Sequence, residues 1–174
     1  MGIFGLGPVL ETLLTAEVRS RAFLDLKPVS YRNSFTHKFS ELLLKISVKD
    51  AKICGHDWQM LSILSHKINA KPYYTIKNLQ GLKKLKIMVN KLKKPAGLSI
   101  HHGLVTKDLI NYCSRLKTEN FSPRSKNNGI NMTKFELWAW TVNDKKEAER
   151  LALLGVDGII TDEWGKLLKS GSGF

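Results

Sequence analysis

The sequence predicts an α/β fold: a parallel (β/α) barrel of the TIM type, incomplete, with about six of the eight strand–helix units such barrels hold. Three observations carry this. Short apolar runs rich in β-forming residues recur along the chain. Each is followed by apolar residues at helical spacing. The runs lack polar alternation, so both faces of each strand are expected to be buried, as in parallel sheets.

The clearest unit lies near the C-terminus. Leu137 to Val142 (Leu-Trp-Ala-Trp-Thr-Val) reads as a strand that Asn143-Asp144 stops. Asp144 and Glu147 have the spacing of a capping box. Ala148, Leu151, Ala152 and Leu154 follow at helical spacing, and Gly155 stands where a glycine ends a helix. Val156 to Thr161 is the next strand.

The same order repeats upstream. Ala22 to Leu26 is a strand, with Phe35, Phe39, Leu42, Leu43 and Ile46 on its helix. Ala51 to Cys54 is followed by a helix carrying Trp58, Leu61, Ile63 and Leu64. Tyr73 to Ile76 precedes a helix with Leu79, Leu82, Leu85 and Val89. Gly97 to His101 precedes one with Leu109, Tyr112, Cys113 and Leu116, which Thr106 is placed to cap. No Gly-x-Gly-x-x-Gly follows any strand, so a closed barrel is favoured over an open dinucleotide-binding sheet. A full barrel usually takes ~200–250 residues, and the chain has 174. Two earlier units would then lie ahead of Met1.

These units predict one domain over residues 1–169. Thr118 to Lys134 is polar and rich in turn formers, and reads as a surface insertion; residues 170–174 read as a flexible tail. The net charge of +13 attracts polyanions. Lys83, Lys84, Lys86, Lys91, Lys93 and Lys94 form a charge run, read first as a solvated helix face whose apolar stripe packs inward. Nucleic-acid binding is the weaker reading, for want of interleaved aromatics or a recognised binding module. Cys54 and Cys113 form no Cys-x-x-Cys pair. No apolar run reaches the ~18 residues of a membrane span. Met1 to Leu14 lacks the charged start and cleavage site of a signal peptide, and Leu6 stands where a myristoylation motif wants Ser or Thr. A cytoplasmic location is expected.

Trp138-Ala139-Trp140-Thr141-Val142-Asn143, a helix, then Gly155 to Asp162 (Gly-Val-Asp-Gly-Ile-Ile-Thr-Asp) resembles the C-terminal signature of the glycerophosphodiester phosphodiesterase family. Phe23 to Lys27 resembles the family's strand ending Glu-x-Lys, Pro8 to Leu14 the segment ahead of it, Cys54 to Asp57 its Ser-Phe-Asp corner, and Gly97 to Ile100 a later inner strand. The resemblance implies metal-assisted hydrolysis of a glycerophosphodiester to glycerol phosphate and an alcohol, with Mg or Ca neutralising charge at phosphorus. It implies Asp25 as a metal ligand, an aspartate where glutamate is usual and so one methylene shorter. It implies Lys27 as the phosphate-holding cation and Trp140 as the aromatic on the glycerol side. Trp164 stands where the family commonly has proline.

The family's His-Arg-Gly, Glu-x-Asp and following His-Asp motifs do not occur in these residues. No catalytic acid or base is therefore assigned, and the chain alone is expected to be inactive. Two open sheet edges would invite self-association or pairing with a missing N-terminal segment. The alternative function is a non-enzymatic basic protein that binds nucleic acid or phosphorylated ligands.

Each site residue also has a plainer reading. Asp25 and Lys27 share a strand face and could simply pair with each other; Trp140 could be core packing. His56, His101 and His102 lie near strand C-termini, where each could face a phosphate or make an ordinary hydrogen bond. His37 and His66 are expected on helix surfaces.

Overall fold

A computed structural model describes residues 23–27, 41, 51–68, 70–88, 95–120 and 135–168. The expected helix over Phe35 to Ile46, apart from Glu41, lies outside the described residues, as do His37, Val89, Lys91, Lys93, Lys94 and the tail. The insertion expected from Thr118 also lies outside them beyond Asn120. Contacts group the chain into two compact units, Met1–Thr75 with Met88–Pro95, and Ile76–Ile87 with Ala96–Phe174.

In the first unit, β1 (Phe23–Leu26), β2 (Lys52–Gly55) and β3 (Lys71–Ile76) are parallel neighbours in chain order. Asp25 is the ladder partner of Cys54, and Cys54 of Tyr73. Parallel partners share a face, and successive residues alternate between faces. Asp25, Cys54 and Tyr73 therefore lie on one face, and Leu26, Ile53 and Tyr74 on the other. Helix α1 (Trp58–Lys67) packs on the second face: the Trp58 ring stacks on Tyr74 with centroids 4.8 Å apart, and its Nε1 donates to the Thr75 carbonyl at 3.3 Å. Asp57 caps α1 by accepting from the Met60 amide at 3.0 Å. Leu61 and Leu64 are fully buried, whereas Ile63, expected in the core stripe, faces solvent. His66 is on the surface, as expected.

In the second unit, β4 (Gly97–His101), β5 (Glu136–Trp140) and β6 (Gly158–Ile159) are again parallel and in chain order. They are joined by a 3-10 turn at His102–Leu104, helix α3 (Lys107–Asn120) and helix α4 (Lys145–Leu154). Helix α2 (Leu79–Met88) precedes β4, and α5 (Trp164–Leu168) follows β6. The caps are those the sequence predicts. Thr106 Oγ1 accepts from the Leu109 amide at 3.2 Å, and Asp144 from the Glu147 amide at 2.9 Å. Gly155 ends α4 at φ 86°, a left-handed conformation that L side chains rarely adopt.

One expectation about burial changes. Leu137 and Ala139 of β5 are buried, but Glu136, Trp138 and Trp140 between them are only partly so. The strand alternates. Its second face carries large rings with polar edges, and Trp138 Nε1 donates to Glu136 at 2.8 Å there. The buried face continues into β4 through Leu98 and Ile100, the ladder partners of Leu137 and Ala139.

The fold is α/β: six parallel strands of a (β/α) barrel of the TIM type, incomplete among the described residues. Gly158 is fixed by close approach. A Cβ there would stand 2.5 Å from the Trp138 ring. Gly158→Ala should lower stability by about 1–3 kcal/mol through overpacking. Gly155→Ala, a strained conformation with open space around it, should cost about 1–2 kcal/mol. Urea unfolding followed by tryptophan fluorescence checks both. Gly158→Ala alone should also shift the native emission, because only it displaces an indole.

Candidate functional site

Strand C-termini and the loops after them build the sites of parallel barrels, and the candidate residues fall there in both units. In the first unit, Asp25 is the third residue of β1 and Lys27 follows its end. Both are exposed, and Lys27 Nζ donates to the Asp25 carboxylate. That hydrogen bond, followed by the Asp25 charge, raises the Lys27 pKa. The plainer reading of the pair is thus realised in the geometry. It leaves the ammonium group in solvent, where it can still meet an anion. His56 follows β2 and is exposed.

The second unit holds a denser set. His101 and Trp140 are ladder partners at the ends of β4 and β5. Their rings meet edge-on with centroids 5.5 Å apart, and the His101 ring stacks on His102 at 4.6 Å. His101 Nδ1 accepts from the Gly103 amide at 3.3 Å, so in the neutral ring the proton sits on Nε2. The Trp140 indole N–H is buried and has no hydrogen-bond partner among the described residues.

His102 is committed elsewhere. Its Nδ1 lies 2.7 Å from Glu147, 45 residues away. Arg150 donates to both oxygens of that carboxylate, at 2.7 and 2.8 Å, and also to the Val105 and His102 carbonyls, at 3.2 and 3.4 Å. This network ties the start of α4 to the turn after β4. The Arg150 hydrogen bonds, then His102, hold the Glu147 carboxyl well below its usual range, at about 2. Sequence reading saw Glu147 only as a capping residue and missed Arg150. The Glu147–Arg150 spacing of three residues was the available signal.

The signature residues form a locked corner. Asn143 Oδ1 accepts from Thr161 Oγ1 at 2.9 Å and from the Asp162 amide at 3.1 Å. Thr161 Oγ1 accepts in turn from the Glu163 amide at 2.9 Å. The Val142 amide donates to Ile160 at 3.0 Å, holding the ends of the two runs together. At the opposite ends, Asp157 accepts from the Leu137 amide through its side chain and donates to the Leu137 carbonyl through its backbone, both at 2.9 Å. Asn, Thr and Asp at these positions are explained by these bonds.

No group of three or more His, Cys, Asp or Glu side chains among the described residues is placed to hold a metal ion. Asp25 is held by Lys27 instead. The described residues do not by themselves make a cation site. No helix among them is long and apolar enough to cross a membrane.

Parallel strands with an Asn143–Thr161 corner locked at the ends of the last two define a (β/α) barrel protein. The model of the glycerophosphoryl diester phosphodiesterase family matches residues 31–166, and the chain belongs to that family. The match begins after β1, so Asp25 and Lys27 lie outside it. YhdW of Bacillus subtilis, a protein assigned as a glycerophosphodiester phosphodiesterase, is 45% identical over 42 residues, 24% of this chain and 17% of its own. A Silicibacter pomeroyi structure assigned as a glycerophosphoryl diester phosphodiesterase superposes with a TM-score of 0.69 at 18% identity, over 94% of this chain and 54% of its own. An Oleispira antarctica phosphodiesterase solved with its product sn-glycerol-3-phosphate superposes at 0.57 and 17% identity, over 84% and 53%. The chain spans about half the length of these solved structures.

Because Glu147 titrates at about 2 when folded and near 4.5 when unfolded, its network stabilises fully above pH 4.5. That contribution is lost as the pH falls toward 2. Urea unfolding at pH 5.5 and pH 3 should show wild type losing more stability than Glu147→Gln. At pH 5.5 the variant should be weaker by about 1–3 kcal/mol, since the neutral amide leaves Arg150 poorly paired.

Proposed function

We propose that this chain is a glycerophosphodiester phosphodiesterase-like protein of glycerol and lipid metabolism that binds the glycerol phosphate part of such diesters and does not hydrolyse them alone. The observation that carries this reading is the family match over residues 31–166 together with the locked signature corner beside Trp140. Lys27 is the cation proposed for the phosphate. Its point charge on a flexible stem suits an anion that arrives from solvent. Trp140 is proposed for the glycerol side, where an aromatic face suits a polyol.

Family chemistry takes a divalent metal, and Asp25 is proposed as a ligand that would have to exchange Lys27 for the cation. Hydrolysis also needs an acid and a base on opposite sides of phosphorus. None of the family's motifs supplying them occurs in the 174 residues. An N-terminal segment or second chain that carries those motifs would therefore be the partner that completes turnover, in the cytoplasm.

The test is the chain with glycerophosphocholine or glycerophosphoethanolamine, with Mg or Ca, followed by phosphorus NMR. No release of glycerol phosphate is expected. Binding of sn-glycerol 3-phosphate should be measurable by calorimetry and should weaken about tenfold in Lys27→Ala, for one lost charge-assisted contact. Turnover that disappears in Asp25→Ala would overturn the claim of inactivity. The net charge of +13 favours one rival, a polyanion-binding protein. Nucleic-acid affinity falling steeply with salt, without glycerol phosphate binding, would replace the proposal with it.

A further inference from the structure

The lysine run was expected to be the solvated back of a helix whose apolar stripe packs inward, and the structure departs from this. Of the apolar residues in α2, Leu85 alone is fully buried. Leu79 and Ile87 are 65% and 63% exposed. They stand with Lys83 and Lys86 at i, i+4, i+7 and i+8, which is one face of a helix. Apolar and cationic side chains are thus interleaved on the same outward surface. Lys77, just ahead of the helix, is exposed as well.

Beside this face runs an open apolar groove of about 480 Å³ between α2, α3 and the turn after β4. Leu79, Leu82, Leu104 and Tyr112 are among its walls. The charged residues along it are Lys83, Lys86 and Arg115 against one carboxylate, Asp108. Water-exposed leucine and isoleucine are unfavourable unless something covers them, and a contiguous patch marks an interaction surface more often than scattered single residues do.

We infer that this face of α2 and the adjoining groove dock onto an anionic phospholipid bilayer. Three features select that occupant. The cationic excess complements an anionic surface. Ile87 lies outside the groove, so a ligand confined to the groove would leave it in water, whereas a bilayer plane covers both. Lysine stems lie along the interface and lift their ammonium groups to the headgroups, so the interleaving is tolerated there. Nucleic acid would use the lysines but offers no apolar phase for Leu79 and Ile87. The surface includes neither Lys27 nor Trp140, and the inference stands or falls independently of the proposed ligand.

The experiment is co-sedimentation of the full chain with vesicles of phosphatidylglycerol and phosphatidylcholine, against pure phosphatidylcholine. Binding to the anionic vesicles alone is expected. The L79S/I87S variant, at two solvent-exposed positions, should bind roughly tenfold less, and K83E/K86E should lose tenfold or more at low salt. Circular dichroism and urea midpoints matching wild type establish that both fold. Full vesicle binding by L79S/I87S would overturn the inference, as would no binding by wild type. RNA binding that displaces the vesicles and survives in L79S/I87S would also overturn it, and would assign the lysines to a polyelectrolyte surface.

Discussion

In-register parallel pairing is the constraint on which the rest of this structure depends. It decides which residues can meet before any side-chain chemistry is considered. Partners across a parallel ladder share a face, and the period of two sends neighbours to opposite faces. In the second unit this puts Leu98, Ile100, Leu137 and Ala139 into the core as one set. The same rule leaves His101 and Trp140 side by side at the strand ends on the other face. A one-residue slip of β5 would bury the polar-edged rings and expose the aliphatic set. The bridge from Asp157 to Leu137, made through side chain and backbone together, is the local device that opposes such a slip.

How much of this was legible in the sequence follows from the range of each interaction. The caps at Thr106, Asp144 and Gly155 are read within three or four residues, and they are where the sequence places them. The six strands and their order are legible because each has its own apolar run and turn signals. Strand boundaries are less so. β3 starts at Lys71 and runs through Pro72, which a sequence reading takes as a breaker. At the start of a strand the missing N–H does little harm. The link from His102 to Glu147 and Arg150 was not legible, because folding draws it together across 45 residues or more. The exposure of Leu79 and Ile87 was hidden for a different reason. Periodicity shows that apolar residues share a face of α2, but not whether a neighbour covers it.

The two sets of candidate residues differ in how firmly they are held. Glu147 sits between His102 and two donor nitrogens of Arg150, and its charge is fixed over most of the pH scale. Such a carboxylate is a poor proton carrier, since any acid able to protonate it would also dissolve the network. Its role is to orient His102 and to anchor α4. Among the described residues, Asp25 and Lys27 pair with each other, in solvent. Exposed ion pairs contribute little stability, so the fold loses little when the pair opens, and an incoming anion can take the lysine.

Family membership and catalytic competence are separate matters for this chain. The signature that identifies the family is a structural corner: Asn143 and Thr161 satisfy backbone and side-chain donors at the ends of β5 and β6, and Gly158 makes room for Trp138. Those requirements persist whether or not a reaction takes place, because they come from packing and hydrogen bonding. A phosphodiester reaction demands more, namely an acid, a base and charge neutralisation at one phosphorus atom. The described residues gather no metal-binding group, and the carboxylate nearest that role already has a partner. The residues that make the fold recognisable are therefore not those that would make it hydrolyse a diester.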